Sequence, residues 1–358
     1  MAGSRRGRAL VSDGAVPAGG SAAEEQSSDG GAATARGGRV IEHLRVEFVL
    51  EAQSPIAHHE GTFGNSAIIM RQKVRRPDGS WCRVPIVTGD TMRHGLREAS
   101  TYALLDAAGM LGEELTESAL RLLFAGGMVT GSSGSTVRLD EYRRLIETLP
   151  TIALLGGCAG NRIIPGAIEV DAAQLICEET AHLLPPWVTE TQHVGDSCRA
   201  HVEEVQRVRM DPTLDPGKRK LLRPVDAEAV QQRLLASATA TDAVATDDAK
   251  SSMMPRRFET VVAGSRFFWS ISARLHSELE RDTFMVMVAT FLSGAVVGGK
   301  RGTGHGKLKP ITARNVQIRT YAEKAETFDL GAPVGQMFRA HVAERADALR
   351  AFLRTVAA

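Results

Sequence analysis

From Leu44 the chain alternates, with Leu44, Val46, Phe48 and Leu50 facing one way and Arg45, Glu47 and Glu51 the other, the period of a half-buried strand. Residues 67–74 form a second strand-like run, Asp78-Gly79 marks a turn, and 81–84 return as a short strand. Thr88, Asp90 or Thr91 then caps a helix reaching about residue 108, with Met92, Leu96, Tyr102, Leu104 and Leu105 as its apolar positions. Further helices are expected over 116–124 and about 140–149, the second stopping at Pro150, with a flexible loop over 126–135 between them. One or two strands follow in 163–177. Strand character resumes at 259–262 and 264–271, a helix covers about 281–294, and a strand-like run occupies 308–318. Residues 323–333 read as a connector. A helical pattern ends the sequence at 334–356, carried by Phe338, Val342, Leu349 and Phe352.

This order predicts an α+β fold: an open-faced antiparallel sheet of the RNA-recognition (RRM), or ferredoxin-like, kind with helical and hairpin (thumb-like) insertions. Residues 41–320 would form the core and 321–358 a C-terminal helical extension. Residues 1–40 are dominated by Gly, Ala and Ser and cannot bury enough apolar surface to offset chain entropy, so a disordered arm is expected, with Arg5, Arg6 and Arg8 on it. Residues 183–257 interrupt the core. They are rich in charge and Pro, and 236–252 are nearly devoid of large apolar side chains.

Composition narrows the function. The 358 residues are 43% hydrophobic, enough for a substantial core, and no apolar run approaches the roughly 20 residues that span a bilayer. A cytoplasmic protein with no membrane partner is expected. The formal net charge is only +1, so attraction to nucleic acid must come from local basic segments. Cys82, Cys158, Cys177 and Cys198 lie far apart without a C-x-x-C pair, which points to reduced thiols and neither zinc nor disulfides. No metal or other cofactor is expected.

Three basic segments stand out. The sequence from Gly298 to Leu308 holds five glycines and the cations Lys300, Arg301, His305 and Lys307, with no acid. Glycine lets the backbone come close to a ligand, and Lys and Arg suit phosphates. A nucleotide P-loop would need Gly where Arg301 stands and Ser or Thr in place of Leu308, and the glycine spacing does not match G-x-G-x-x-G between strand and helix. The loop reads as a polyanion cradle, with a slack helix-to-strand connector as the competing reading. Arg93 and Arg97 share a helix face near the capped N-terminus, where a phosphate would sit. Residues 205–223 place Arg207, Arg209, Lys218, Arg219, Lys220 and Arg223 against only Asp211 and Asp215, with Pro212 and Pro216-Gly217 as a bend, and read as a projecting basic hairpin. His58-His59-Glu60 could suggest metal or acid–base chemistry, but it lacks H-E-x-x-H spacing and a third ligand.

Three motifs in order resemble CRISPR RAMP-superfamily proteins: residues 85–97 (PIVTGDTMRHGLR) at the first core helix, Gly264-Ser265-Arg266-Phe267 at a late core strand, and the glycine loop. The resemblance spans about residues 41–320 and is weak in the insertion. It favours the "Cas seven" backbone subunit, most like type IV effectors with type III second. It implies a sequence-independent RNA-binding protein that polymerises as a filament along guide RNA (crRNA), beside other effector subunits, and presents the guide to complementary target nucleic acid. The RNA-binding residues would be Arg93, Arg97, Arg207, Arg209, Lys218, Arg219, Lys220, Lys300, Arg301, His305 and Lys307. Type III relatives cut target RNA with an aspartate in the loop after the first strand. Residues 53–66 hold no aspartate and offer only Glu60, so a non-catalytic scaffold is the expectation. The alternative is a RAMP endoribonuclease using His58, His59 or His305.

Overall fold

The computed structural model describes residues 42–63, 66–127, 135–136, 138–159, 162–210, 212–239, 253–319, 322–327 and 334–355; the N-terminal arm, with Arg5, Arg6 and Arg8, lies outside them. The chain opens with strands β1 (Glu42–Ala52), β2 (His59–Phe63), β3 (Ser66–Ile69), β4 (Arg71–Arg75) and β5 (Trp81–Val87), then helices α1 (Gly89–Ala107) and α2 (Glu117–Ala125). Next come β6 (Ser135–Thr136), α3 (Leu139–Thr148), α4 (Pro150–Leu155), β7 (Gly157–Ala159), β8 (Arg162–Ile164), β9 (Ile168–Val170), β10 (Ala173–Leu175) and α5 (Pro186–Thr191). The insertion supplies β11 (Val202–Met210), α6 (Pro216–Arg219), α7 (Pro224–Thr239) and β12 (Met253–Val261). Then follow β13 (Arg266–Leu275), α8 (Glu278–Ser293), β14 (Leu308–Arg319), β15 (Ala322–Thr327), α9 (Gln336–Glu344) and α10 (Ala346–Thr355).

The main sheet runs β15-β14-β1-β13-β10-β5-β4, and β9 also pairs with β13. Counting β1, β9/β10, β13 and β14 as core strands one to four, their spatial order is fourth, first, third, second. With α1 and α8 as the crossing helices this is the ferredoxin-like arrangement. The predicted alternation along β1 holds: Leu44, Val46, Phe48 and Leu50 are all buried on the helix side. Phe48 pairs with and stacks on Trp269 at 5.3 Å between ring centroids, and Trp269 meets Phe291 of α8 edge-on at 5.6 Å. Gly95 of α1 lets the two helices close together, since a Cβ there would stand 2.8 Å from the Phe291 ring. A second cluster joins α1, α2 and α4 to α9 and α10 through Leu104, Leu122, Ile152, Phe338, Val342 and Leu353, so the C-terminal helices belong to the core.

The opposite face of the sheet is partly covered. Val49 and Phe268 pack with Leu184, Val188 and Trp187, and Trp187 Nε1 donates to Glu47 at 2.8 Å. An aromatic RNA-stacking platform in the manner of an RRM is therefore not displayed at that position.

Several elements differ from the sequence reading. The connector expected at 323–333 begins as strand β15, paired with β14. A helix, α4, starts at Pro150, where one was expected only to stop; proline suits a first helical position because its missing N–H has no partner there. The largest change concerns the insertion. β11 does not fold back on residues 216–223 but pairs in antiparallel register with β12, from Val202↔Val261 to Met210↔Met253. The two form a ribbon, and β3 and β2 extend it into a separate four-stranded sheet.

Candidate nucleic-acid interface

Residues 53–58, which follow β1, act as a clasp on which the three motifs converge. Gln53 N–H donates to Lys307 O at 2.8 Å, Gly306 N–H to Pro55 O at 2.9 Å and Gly299 N–H to Ala57 O at 2.7 Å. Ile56 exchanges both backbone bonds with Val261. Gly264 N–H donates to Ala52 O at the end of β1, and His58 Nε2 lies 3.3 Å from the hydroxyl of Thr88, the α1 N-cap.

The glycine loop is thus held and not slack. Val297 N–H donates to Gly306 O and Leu308 N–H to Ala295 O, closing its neck. Gly306 requires its residue type twice over: φ is +89°, and a Cβ would stand 2.0 Å from Val297 O. Lys300, with φ of 58°, is the one non-glycine residue with positive φ among the described residues. Such a conformation costs on the order of 1–2 kcal/mol and persists where surrounding structure enforces it.

Lys300 places Nζ 4.0 Å from the centroid of the Phe258 ring, and the Arg207 guanidinium carbon lies 5.8 Å from the same centroid. Phe258 is only 3% exposed, and His59 and His305 meet its ring edge-on. The register carries the pattern outward. Val205 faces Phe258, Arg207 faces Arg256 and Arg209 faces Met254, so these positions share one side of the ribbon. Like charges directly opposite on paired strands are destabilising, and among the described residues neither Arg207 nor Arg256 has a carboxylate partner. A bound polyanion would relieve that repulsion.

The predicted residues divide. Lys300 and Arg207 come together at the foot of the ribbon, and Lys307 is exposed on the same loop. Arg301 is exposed but paired with Glu98 of α1 at 2.9 Å. His305 is 5% exposed, and its Nδ1 lies 3.2 Å from the Thr303 hydroxyl; it braces the loop from inside and does not present a solvent-facing donor. Lys218, Arg219 and Lys220 lie in the segment joining the distal ends of β11 and β12, where Asp215 caps α6 and pairs with Lys218 at 3.6 Å. The Arg209 side chain lies outside the described residues.

The α1 arginines depart furthest from expectation. Arg93 donates to Leu155 O and Ile168 O, and Arg97 donates to Gly156 O at 2.8 Å. Arg97 is 7% exposed; burial first, then the charge of Arg93, brings its pKa down to about 10. These guanidiniums satisfy carbonyls at the end of α4 and at the start of β9, so the structure gives Arg97, expected to meet a phosphate, an internal partner. Phe258 and Arg256 are the residues missed. Their signal was an aromatic beside Arg256-Arg257 in a segment otherwise poor in large side chains.

The His-His-Glu run points in three directions. His58 lies against Thr88, His59 Nε2 is 3.0 Å from Glu259 O, and Glu60 pairs with Arg83 at 2.8 Å. Burial, then His59, lowers the pKa of His58. Among the described residues no cluster of His, Cys, Asp and Glu could hold a metal, and no helix is long and apolar enough to cross a membrane.

The fold and this surface define an α+β protein of ferredoxin-like order bearing a basic two-stranded ribbon on a glycine-loop base. No known family profile and no curated protein matches the chain. Among solved structures, the chain is similar to one described as "Type IV-B CRISPR Complex", at 20% identity and a TM-score of 0.47, covering 82% of this chain and 95% of that one.

Proposed function

We propose that the chain is a non-catalytic backbone subunit of a CRISPR effector ribonucleoprotein, binding guide RNA without reading its sequence and assembling in multiple copies along it. The observation that carries this reading is the convergence of Lys300 and Arg207 on Phe258, continued outward by Arg256. A row of cations on a rigid base suits a phosphate backbone and ignores base identity. The divergence of His58, His59 and Glu60 favours holding RNA over cutting it.

Fluorescence anisotropy with short labelled RNA across a salt series tests the reading. Replacing Lys300, Arg207 and Arg256 together with Ala should weaken binding and flatten the log–log salt slope by about 2, at roughly 0.7 per lost contact on single strands. Sequence-scrambled RNAs should bind alike, and labelled RNA should keep its length on incubation. Unchanged affinity and slope in the triple variant would overturn the reading.

A further inference from the structure

On the other side of the ribbon lies a second basic surface that the loop does not reach. In the β4–β5 hairpin, Arg75 faces Trp81, Lys73 faces Arg83 and Arg71 faces Pro85, so Arg71, Lys73, Arg75, Trp81 and Arg83 share one face. The opposite face sends Val74 and Val84 into the core. Trp81 is 58% exposed, with Lys73 Nζ 4.3 Å and the Arg75 guanidinium carbon 5.7 Å from its ring centroid. It borders a cleft of about 1050 Å³ whose walls include Arg83, Arg199 and, from the ribbon, Glu204 and Glu259. By strand alternation Glu204 and Glu259 project from the side of the ribbon away from Phe258 and Arg207.

Arg71 is neutralised by Glu259 at 2.8 Å and Arg83 by Glu60. Lys73, Arg75 and Arg199 have no ion-pair partner among the described residues, and neither strand of the hairpin contains an acid. We propose that this face is a second site for single-stranded nucleic acid, in which an unpaired base stacks on Trp81 while adjoining phosphates engage Lys73, Arg75 and Arg199. Stacking on an aromatic plane flanked by cations accepts any base. An acidic peptide would meet the charge but leave the indole without a flat partner, so the surface fits a nucleic acid better. Trp81, Lys73, Arg75 and Arg199 belong to neither the glycine loop nor the ribbon strands.

Tryptophan emission and anisotropy of labelled oligouridylate and oligodeoxythymidylate, measured on the full chain at low salt, test it. Both oligonucleotides should quench emission, and the stronger quencher identifies RNA or DNA as the preferred strand. Trp81→Phe should abolish the quench yet keep affinity within about 2-fold, because a phenyl ring still stacks. The K300A/R207A/R256A variant should retain the quench, and in that background Trp81→Ala or Lys73→Ala/Arg75→Ala should lower the remaining affinity about 5-fold or more. Binding without any quench overturns the second site while leaving the first intact. A quench lost with K300A/R207A/R256A merges the two sites and likewise overturns it. Equal quenching by polyglutamate would assign the face to acidic polypeptides instead.

Discussion

The glycine loop and the start of α1 carry similar cations, yet the fold uses them in opposite ways. Lys300 lies over Phe258 on a loop pinned by Gly299 N–H and Gly306 N–H to Ala57 O and Pro55 O, whereas Arg97 is turned inward onto Gly156 O, 59 residues away in sequence. Both are basic residues in glycine-containing motifs. The difference lies in which carbonyls the fold brings near. A helix end that must finish inside the protein, as α4 does, leaves backbone acceptors that a guanidinium can satisfy, and an arginine so employed is no longer free for a ligand.

Substitutions should separate the two uses. Arg97→Ala should cost about 3 kcal/mol in urea denaturation, from a buried acceptor left unpaired and the lost packing of the side-chain stem, while the folded fraction binds RNA as before. A loss of RNA affinity at unchanged stability would return Arg97 to the interface. A second buried charge sharpens the point through pH. Glu179 is 3% exposed and pairs with Arg76 at 2.9 Å; burial alone would raise its pKa, but donation from Cys198 N–H and Ser197 holds it at about 2. Its folded pKa is therefore depressed. The stability it contributes, on the order of 3 kcal/mol, is full above about pH 4.5 and is lost as pH falls toward 2. Urea melts at pH 7, 4.5 and 3 should show that decline in the native protein and a shallower one in Glu179→Gln.

Gly306→Ala should destabilise by about 2 kcal/mol and loosen the loop, since the methyl group meets Val297 O in a left-handed conformation. Hydrogen exchange at Val297 and Leu308 would report it. Lys300→Ala should have the smallest effect on folding, about 1 kcal/mol or less for a solvent-accessible cation–π contact, while weakening RNA binding measurably. Should its stability cost exceed that of Arg97→Ala, the contrast between the two regions would fail.

Legibility in the sequence followed the range of the interactions. β1, β13, α1, α2 and α8 were readable because alternation, helical period and the cap Thr88 are local signals. β15 was not, because Ala322–Thr327 has the composition of a loop and is a strand through pairing with β14. The ribbon was misread for a similar reason. Its charges cluster within 205–223, but the strand that pairs with β11 lies beyond a long polar stretch and contains Pro255, which argues locally against a strand. The glycine loop stood out in the sequence by its glycines and cations, but its clasp at residues 53–58 works mainly through backbone hydrogen bonds, which any side chain there could make.

The position of β1 also bears on how the protein is made. Its two neighbours in the sheet are β13 and β14, so Phe48 waits for a partner, Trp269, about 220 residues later. At ribosomal speeds of about 5–20 residues per second, this central core strand spends roughly 10–45 s outside the exit tunnel before its sheet can close. During that interval an unpaired strand bearing Leu44, Val46, Phe48 and Leu50 is a natural substrate for holding chaperones, and heterologous yield should depend more on growth temperature and chaperone supply than on the stability of the finished fold.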